Sequence, residues 1–171
     1  MDDLSHFSAS GRARMVDVTD KPSTQRIAIA SGVLRMQPET LSRIRAGEIE
    51  KGDVLTVADV AAVMAAKRTA ELIPMCHTLP LTGVEISFKD IVVPDSRGCV
   101  TLAVFATVRC TGQTGVEMEA LCATSVALLT VYDMCKAIDK GMRIEHIQLE
   151  EKRGGNSGTW LRKSQEAEIN T

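Results

Sequence analysis

The stretch TGVEMEALCATSVALLTVYDMCKAI, residues 114–138, decides the fold. Thr114-Gly115-Val116-Glu117 has the capping-box pattern, a hydroxyl followed three residues later by an acid, and predicts a helix from there to about Ile138. From Ala120 to Tyr132 that helix is apolar on almost every face. Such a helix is buried on several sides, by its own sheet and by another subunit. Gly141 breaks the run, and Ile144, Ile147 and Leu149 mark a strand beyond it.

Upstream, Val84, Ile86 and Phe88 alternate with polar residues as a half-buried strand requires. Pro94-Asp95-Ser96-Arg97-Gly98 is a turn, and Val100 to Val108 returns to complete a hairpin. Before the hairpin, Thr56-Val57-Ala58-Asp59 repeats the capping pattern and opens a helix to about Leu72. A shorter helix starts at Pro38, where a missing N–H costs nothing, and ends at Gly47. The β-branched run from Thr24 to Met36 predicts the first strand, bent at Gly32. Met15-Val16-Asp17-Val18 reads as a further short strand. Strand, helices, strand, strand, helix, strand is the split βαβ order of an α+β, ferredoxin-like antiparallel sheet. Helices pack on one face of it, and an oligomeric partner covers the other. Residues 1–21 read as a flexible arm, 22–160 as a single domain, and 161–171 as a charged tail.

Composition narrows the function. A chain of 171 residues supports one full core. Only 3% of it is aromatic, so the core relies on aliphatic residues and eight methionines. The net charge of -2 argues against a general nucleic-acid binder. No signal-peptide pattern opens the chain, and no apolar run reaches the ~18 residues of a membrane span. Five cysteines, odd in number and never spaced Cys-x-x-Cys, read as reduced thiols in cytoplasm. His6, His77 and His146 do not share metal-ligand spacing, so no metal site is expected.

Several constellations could carry chemistry. His77 lies between Pro74 and Pro80 in a passage that cannot be helical, with an ordinary pKa of about 6.5 suited to work near neutrality. A structural hydrogen-bonding role is at least as common. Asp133 and Lys136 stand three residues apart near the end of the long helix. Spacing alone divides evenly between an exposed ion pair and a half-buried one whose lysine pKa is lowered toward useful values. Glu117 reads as a capping residue. Glu119 is fourteen residues before Asp133, within roughly 40° of the same helix face but ~21 Å along the axis. The two can line opposite ends of a site, or of sites shared between subunits. Lys51 occupies a glycine-containing loop ahead of a helix, and Lys67-Arg68 falls in the C-terminal half of that helix. Lys152 opens a basic, glycine-rich loop that lacks P-loop spacing.

Together these segments resemble the MoaC family across roughly Met15 to Gly158. The carriers are Met15-Val16-Asp17-Val18, Lys51-Gly52-Asp53, Ala65-Ala66-Lys67-Arg68-Thr69, Leu72-Ile73-Pro74-Met75-Cys76-His77, residues 111–121, and Tyr132-Asp133-Met134-Cys135-Lys136-Ala137. The resemblance implies a lyase of molybdenum cofactor biosynthesis. Its reaction converts 3',8-cyclo-7,8-dihydroguanosine 5'-triphosphate to cyclic pyranopterin monophosphate and diphosphate. It implies Asp133, Lys51 and Lys136 as catalytic residues. Met75, Cys76, His77, Met118, Glu119, Lys67, Arg68 and Lys152 fall to substrate binding. No tightly bound cofactor is expected, though Mg2+ can accompany the substrate triphosphate; the resemblance also implies a homo-oligomer, a hexamer built as a trimer of dimers, with active sites between subunits. The chain departs from the family pattern at Thr78, Arg153 and Asn156, and the last weakens any phosphate role at position 156. The competing readings are a non-catalytic ferredoxin-like regulatory module binding a phosphorylated ligand between subunits, and a phosphohydrolase, which would need a denser carboxylate cluster to hold metal.

Overall fold

A thirteen-residue strand, β1 (Thr24–Met36), forms the axis of the sheet. A computed structural model describes residues 14–156 and 158–163. After β1 come α1 (Pro38–Ala46), α2 (Val54–Lys67), α3 (Thr69–Leu72), β2 (Leu81–Ile91), β3 (Val100–Gly112), α4 (Glu117–Cys135), β4 (Arg143–Arg153) and β5 (Trp160–Leu161). β1 pairs antiparallel with β3 along its whole length, from Thr24 opposite Gly112 to Met36 opposite Val100. β4 takes its other edge and β2 flanks β3, giving the order β2-β3-β1-β4-β5. The first four strands have the ferredoxin-like arrangement expected, and β5 adds a short antiparallel pairing with β4.

Small residues set how close the helices lie. Ala28 and Ala30 on β1 and Ala106 on β3 are fully buried, as are Ala120, Ala123, Ala127 and Leu128 of α4. Alternation puts Gly32 on the same side as Ala28 and Ala30. A Cβ added there would stand 2.7 Å from Leu128 Cδ1 and 3.0 Å from both Thr124 Cγ2 and the His146 carbonyl. Only glycine admits the helix at this depth. The bend expected at Gly32 is a register shift in the β1–β4 pairing between Gly32 and Leu34, within a continuous strand. By length and apolarity α4 could cross a membrane, but most of it is buried inside the molecule.

The helix termini differ from the sequence expectation in instructive ways. Asp53, not Thr56, caps α2, accepting from the Thr56 backbone N–H at 3.1 Å and from its hydroxyl at 2.6 Å. An aspartate placed just upstream is at least as good a cap, and Thr56 becomes its donor. α2 ends at Lys67, and Thr69–Leu72 is a separate turn. Val116, two residues past the expected Thr114, begins α4 with no side-chain cap, and Glu117 accepts from Lys152. Gly47 closes α1 in the left-handed conformation expected of it, φ 71°. The start of α1 is capped from far away. Buried Asp139, in the loop after α4, accepts from the Gln37 N–H at 2.9 Å, the Thr40 hydroxyl at 3.1 Å and the Gly141 N–H at 3.1 Å. Met15–Val18 is not a strand. Both edges of β1 are already paired, so no ladder is open to it there. Residues 1–13 of the expected arm, with His6, and 164–171 of the expected tail lie outside the described residues.

Gly32→Ala is expected to destabilise the fold by about 1–3 kcal/mol through overpacking against Leu128 and Thr124, read as a lowered midpoint in urea unfolding with an unchanged slope.

Candidate active site

The expected site residues fall into two groups at opposite ends of α4. At its C-terminal end Asp133 receives both lysines. Lys51 Nζ lies 2.8 Å from Asp133 Oδ2 and also donates to the Asp133 carbonyl at 2.9 Å. Lys136 Nζ is 2.7 Å from Asp133 Oδ1. The connection between α1 and α2 thus brings Lys51 to the last turn of α4, where a cation also meets the negative end of the helix dipole. Hydrogen bonds from Lys136 and then Lys51 hold the Asp133 carboxyl down at about 2. The same contact pushes the Lys136 ammonium up.

This overturns the half-buried reading of the pair. The Asp133 and Lys136 side chains are 56% and 53% exposed. Neighbouring Val131 and Met134 take the buried side of the helix, leaving Asp133 to face outward. Without desolvation, the paired charges dominate, and they raise the lysine rather than lower it.

At the other end, Met75, Cys76 and His77 face Met118 and Glu119 across a cavity of about 380 Å³, with Val16, Val18 and Lys21 on its rim. Glu119 is only 4% exposed. Burial pushes its carboxyl up; its own backbone N–H pulls the other way, and the charge of Glu117 adds to the rise. Burial also pushes the Cys76 thiol up, with Glu119 and Cys122 contributing, so Cys76 lines the cavity as a neutral thiol. All five cysteines are unpaired.

A second cavity, about 320 Å³, adjoins the first and shares Lys21, Thr114, Gly115 and Glu117 with it. Lys152, Arg153 and Asn156 line it, so position 156 does face the site. Sequence reasoning missed Arg26 and Lys21 in this wall and took Glu117 for a cap. Arg26 was detectable. It shares the parity of Ala28 and Ala30 on β1, an arginine at a core-facing position, and its Nε and Nη2 donate to the Gly112 and Gln113 carbonyls at 3.3 Å each. Lys21 gave no local signal. Lys67 and Arg68 are exposed and line neither cavity. Since Lys51, just ahead of α2, meets the end of α4, the fourteen residues of α2 run back toward its start and leave these two cations at that end. Among the described residues no three His, Cys, Asp or Glu side chains converge as metal ligands.

A ferredoxin-like sheet with a buried acid and a cationic cavity at one end of a helix, and a lysine–aspartate cluster at the other, is the framework of a small-molecule enzyme. The chain belongs to the MoaC family, which it matches over residues 15–155. Among its relatives, the cyclic pyranopterin monophosphate synthase of Brevibacillus brevis is 59% identical over 161 residues, covering 94% of this chain and 97% of the relative. The synthase of the same name from Chloroflexus aggregans is 60% identical over 95% of each chain. That of Thermomicrobium roseum is 56% identical over 98% of each.

Two titrations test the electrostatics. The Asp133 pKa of about 2 lies below the unfolded value of about 3.9, so its contribution to stability is present above that value and lost as pH falls through about 2. Carboxyl carbon NMR should find Asp133 still ionised where other aspartates have protonated, and Lys136→Gln should move it back up. Glu119 has the opposite sign. Its contribution is present below the ordinary carboxyl pKa and lost as pH rises through the raised folded value. Denaturant melts of Glu119→Gln should therefore gain on the wild type as pH rises from the ordinary carboxyl pKa toward the raised folded one.

Proposed function

We propose that this chain converts 3',8-cyclo-7,8-dihydroguanosine 5'-triphosphate to cyclic pyranopterin monophosphate, releasing diphosphate, in molybdenum cofactor biosynthesis. What carries the reading is family membership combined with the retention, in contact, of Lys51, Asp133 and Lys136. Closing the cyclic phosphate forms a new P–O bond at the α-phosphorus and breaks its bond to the oxygen that leaves with diphosphate. Preorganised cations stabilise that charge. Lys152 and Arg153, with Lys21 and Arg26, supply them in one cavity. The base-derived rings enter the adjoining cavity, where Met75, Cys76, His77 and Met118 bind and position them. Opening and rebuilding those rings requires proton transfers. Ionised Asp133 orients Lys51 and Lys136, so Lys136 serves first as a proton donor. Glu119, whose burial favours the neutral acid, can donate from the opposite side. Magnesium would arrive on the triphosphate oxygens, which suit its preference for phosphate and water.

One chain does not suffice. Glu119 and Asp133 are ~21 Å apart on a rigid helix. The outer stripe of α4 runs from Met118 through Cys122, Ser125, Val126 and Leu129 to Asp133, partly exposed throughout. Its central residues are small enough for close helix contact, and exposed Val57, Val60 and Met64 of α2 extend the apolar surface. Two copies packed antiparallel about a two-fold axis near Ser125 and Val126 would bring the start of one α4 to the end of the other. Each site then takes Glu119 and His77 from one subunit and Lys51, Asp133 and Lys136 from its neighbour. Such dimers, assembled in threes as a cytoplasmic hexamer, complete the reading.

The assay supplies the cyclised nucleotide triphosphate and follows diphosphate and pyranopterin together. Lys136→Ala is expected to lower kcat by roughly 10²–10⁴-fold. Asp133→Ala and Glu119→Ala, each impaired alone, should complement after mixed refolding and recover about one quarter of the wild-type sites. No recovery would place both groups of residues in a single chain's site and reject the shared arrangement.

A further inference from the structure

The cationic cavity contains one contact that the proposed reaction leaves unused. Lys152 Nζ lies 3.0 Å from Glu117 Oε1, with the two side chains 32% and 28% exposed. Among the described residues Glu117 is the one acid lining that wall, against Lys21, Arg26, Lys152 and Arg153. It stands in the first turn of α4 with its carboxylate folded over Gly115, where an added Cβ would collide with it. Across the cavity the Arg26 guanidinium lies over Gly155 in the same way, and Gly155 has a positive φ of 74°. The wall is therefore bare backbone covered by the charged ends of side chains, which can turn aside without moving the chain. A carboxylate set among cations at a helix N-terminus occupies the place a phosphate oxygen would take.

We propose that Glu117 is a displaceable placeholder for phosphate: its carboxylate holds Lys152 until a phosphate-bearing ligand takes the lysine, and it returns as diphosphate leaves. The proposal rests on the phosphate-binding reading of this cavity and deepens it. Every incoming phosphate must first break the Lys152–Glu117 pair, so affinity falls by the worth of that pair. A triphosphate nucleotide, anchored also through its rings, tolerates the loss. Free diphosphate has no second anchor and is held less tightly. Glu117 thus favours product release over retention without touching the reacting atoms.

Isothermal titration of the full chain with inorganic diphosphate reads this directly. Glu117→Gln keeps the shape of the side chain and is expected to bind diphosphate roughly five-fold tighter, the upper range for a partly exposed ion pair. In a Lys152→Met background the same substitution should bring no gain, because the pair is already gone. Equal or weaker binding by Glu117→Gln overturns the proposal. A gain that persists without Lys152 also overturns it, since Glu117 would then act only as a general negative charge. So does a wild type and a Glu117→Gln variant that both ignore diphosphate. Binding is measured without turnover, so failure of the proposed reaction is separable: a chain showing the Lys152-dependent gain yet inert toward the cyclised nucleotide would keep the placeholder and lose the reaction.

Discussion

The contact of α4 with a floor of alanine and glycine governs the rest of the molecule. Ala28, Ala30 and Gly32 on β1 leave no side-chain relief beneath the helix, and Ala120, Ala123 and Ala127 answer with none of their own. Close packing of this kind holds nineteen residues as one inflexible rod. Every functional group carried by that rod has a fixed address. Glu117 and Glu119 belong to one end and Asp133 to the other, and no rotamer change brings them together.

The two ends treat their carboxyls in opposite ways. Glu119 is buried against the Met75–His77 segment, and the loss of water favours its protonated form. Asp133 stays in solvent between two ammonium groups, which favour its ionised form. One helix therefore carries a carboxyl biased toward its protonated form at its start and one biased toward its ionised form at its finish. Environments that push two similar groups apart are how acid and charge-stabilising roles are divided at a single pH. In a site assembled from both ends, the substrate would lie between them.

Much of this was legible in the sequence, for reasons that can be located. Period-two alternation at Val84, Ile86 and Phe88 and the long apolar run after Glu117 specified a hairpin followed by a core helix, enough for the split βαβ order. The contacts of Lys51 were not legible, because 82 residues separate it from Asp133 and only the path of α1 and its left-handed Gly47 brings them together. Helix starts were misread where two capping residues competed. Thr56 lost to Asp53, and Thr114 caps nothing, because α4 starts two residues later at Val116. Exposure was left undecided by spacing. The residues around Asp133 are apolar in sequence, but they turn inward and leave the aspartate on the outer side. Arg26 went unnoticed because a β-branched strand disguises a single long side chain whose parity alone marks it.

The buried carboxylate of Asp139 bears on how the molecule comes apart. It joins the loop that follows α4 to the first turn of α1, two pieces of chain about a hundred residues apart in sequence. Opening of either piece deprives the other of hydrogen bonds that nothing nearby can replace. The corner that carries Lys136 on one side and leads through α1 to Lys51 on the other is thus a single cooperative unit, and its amides should exchange with solvent together. Opening of that corner as a unit releases the backbone behind both lysines in the same event.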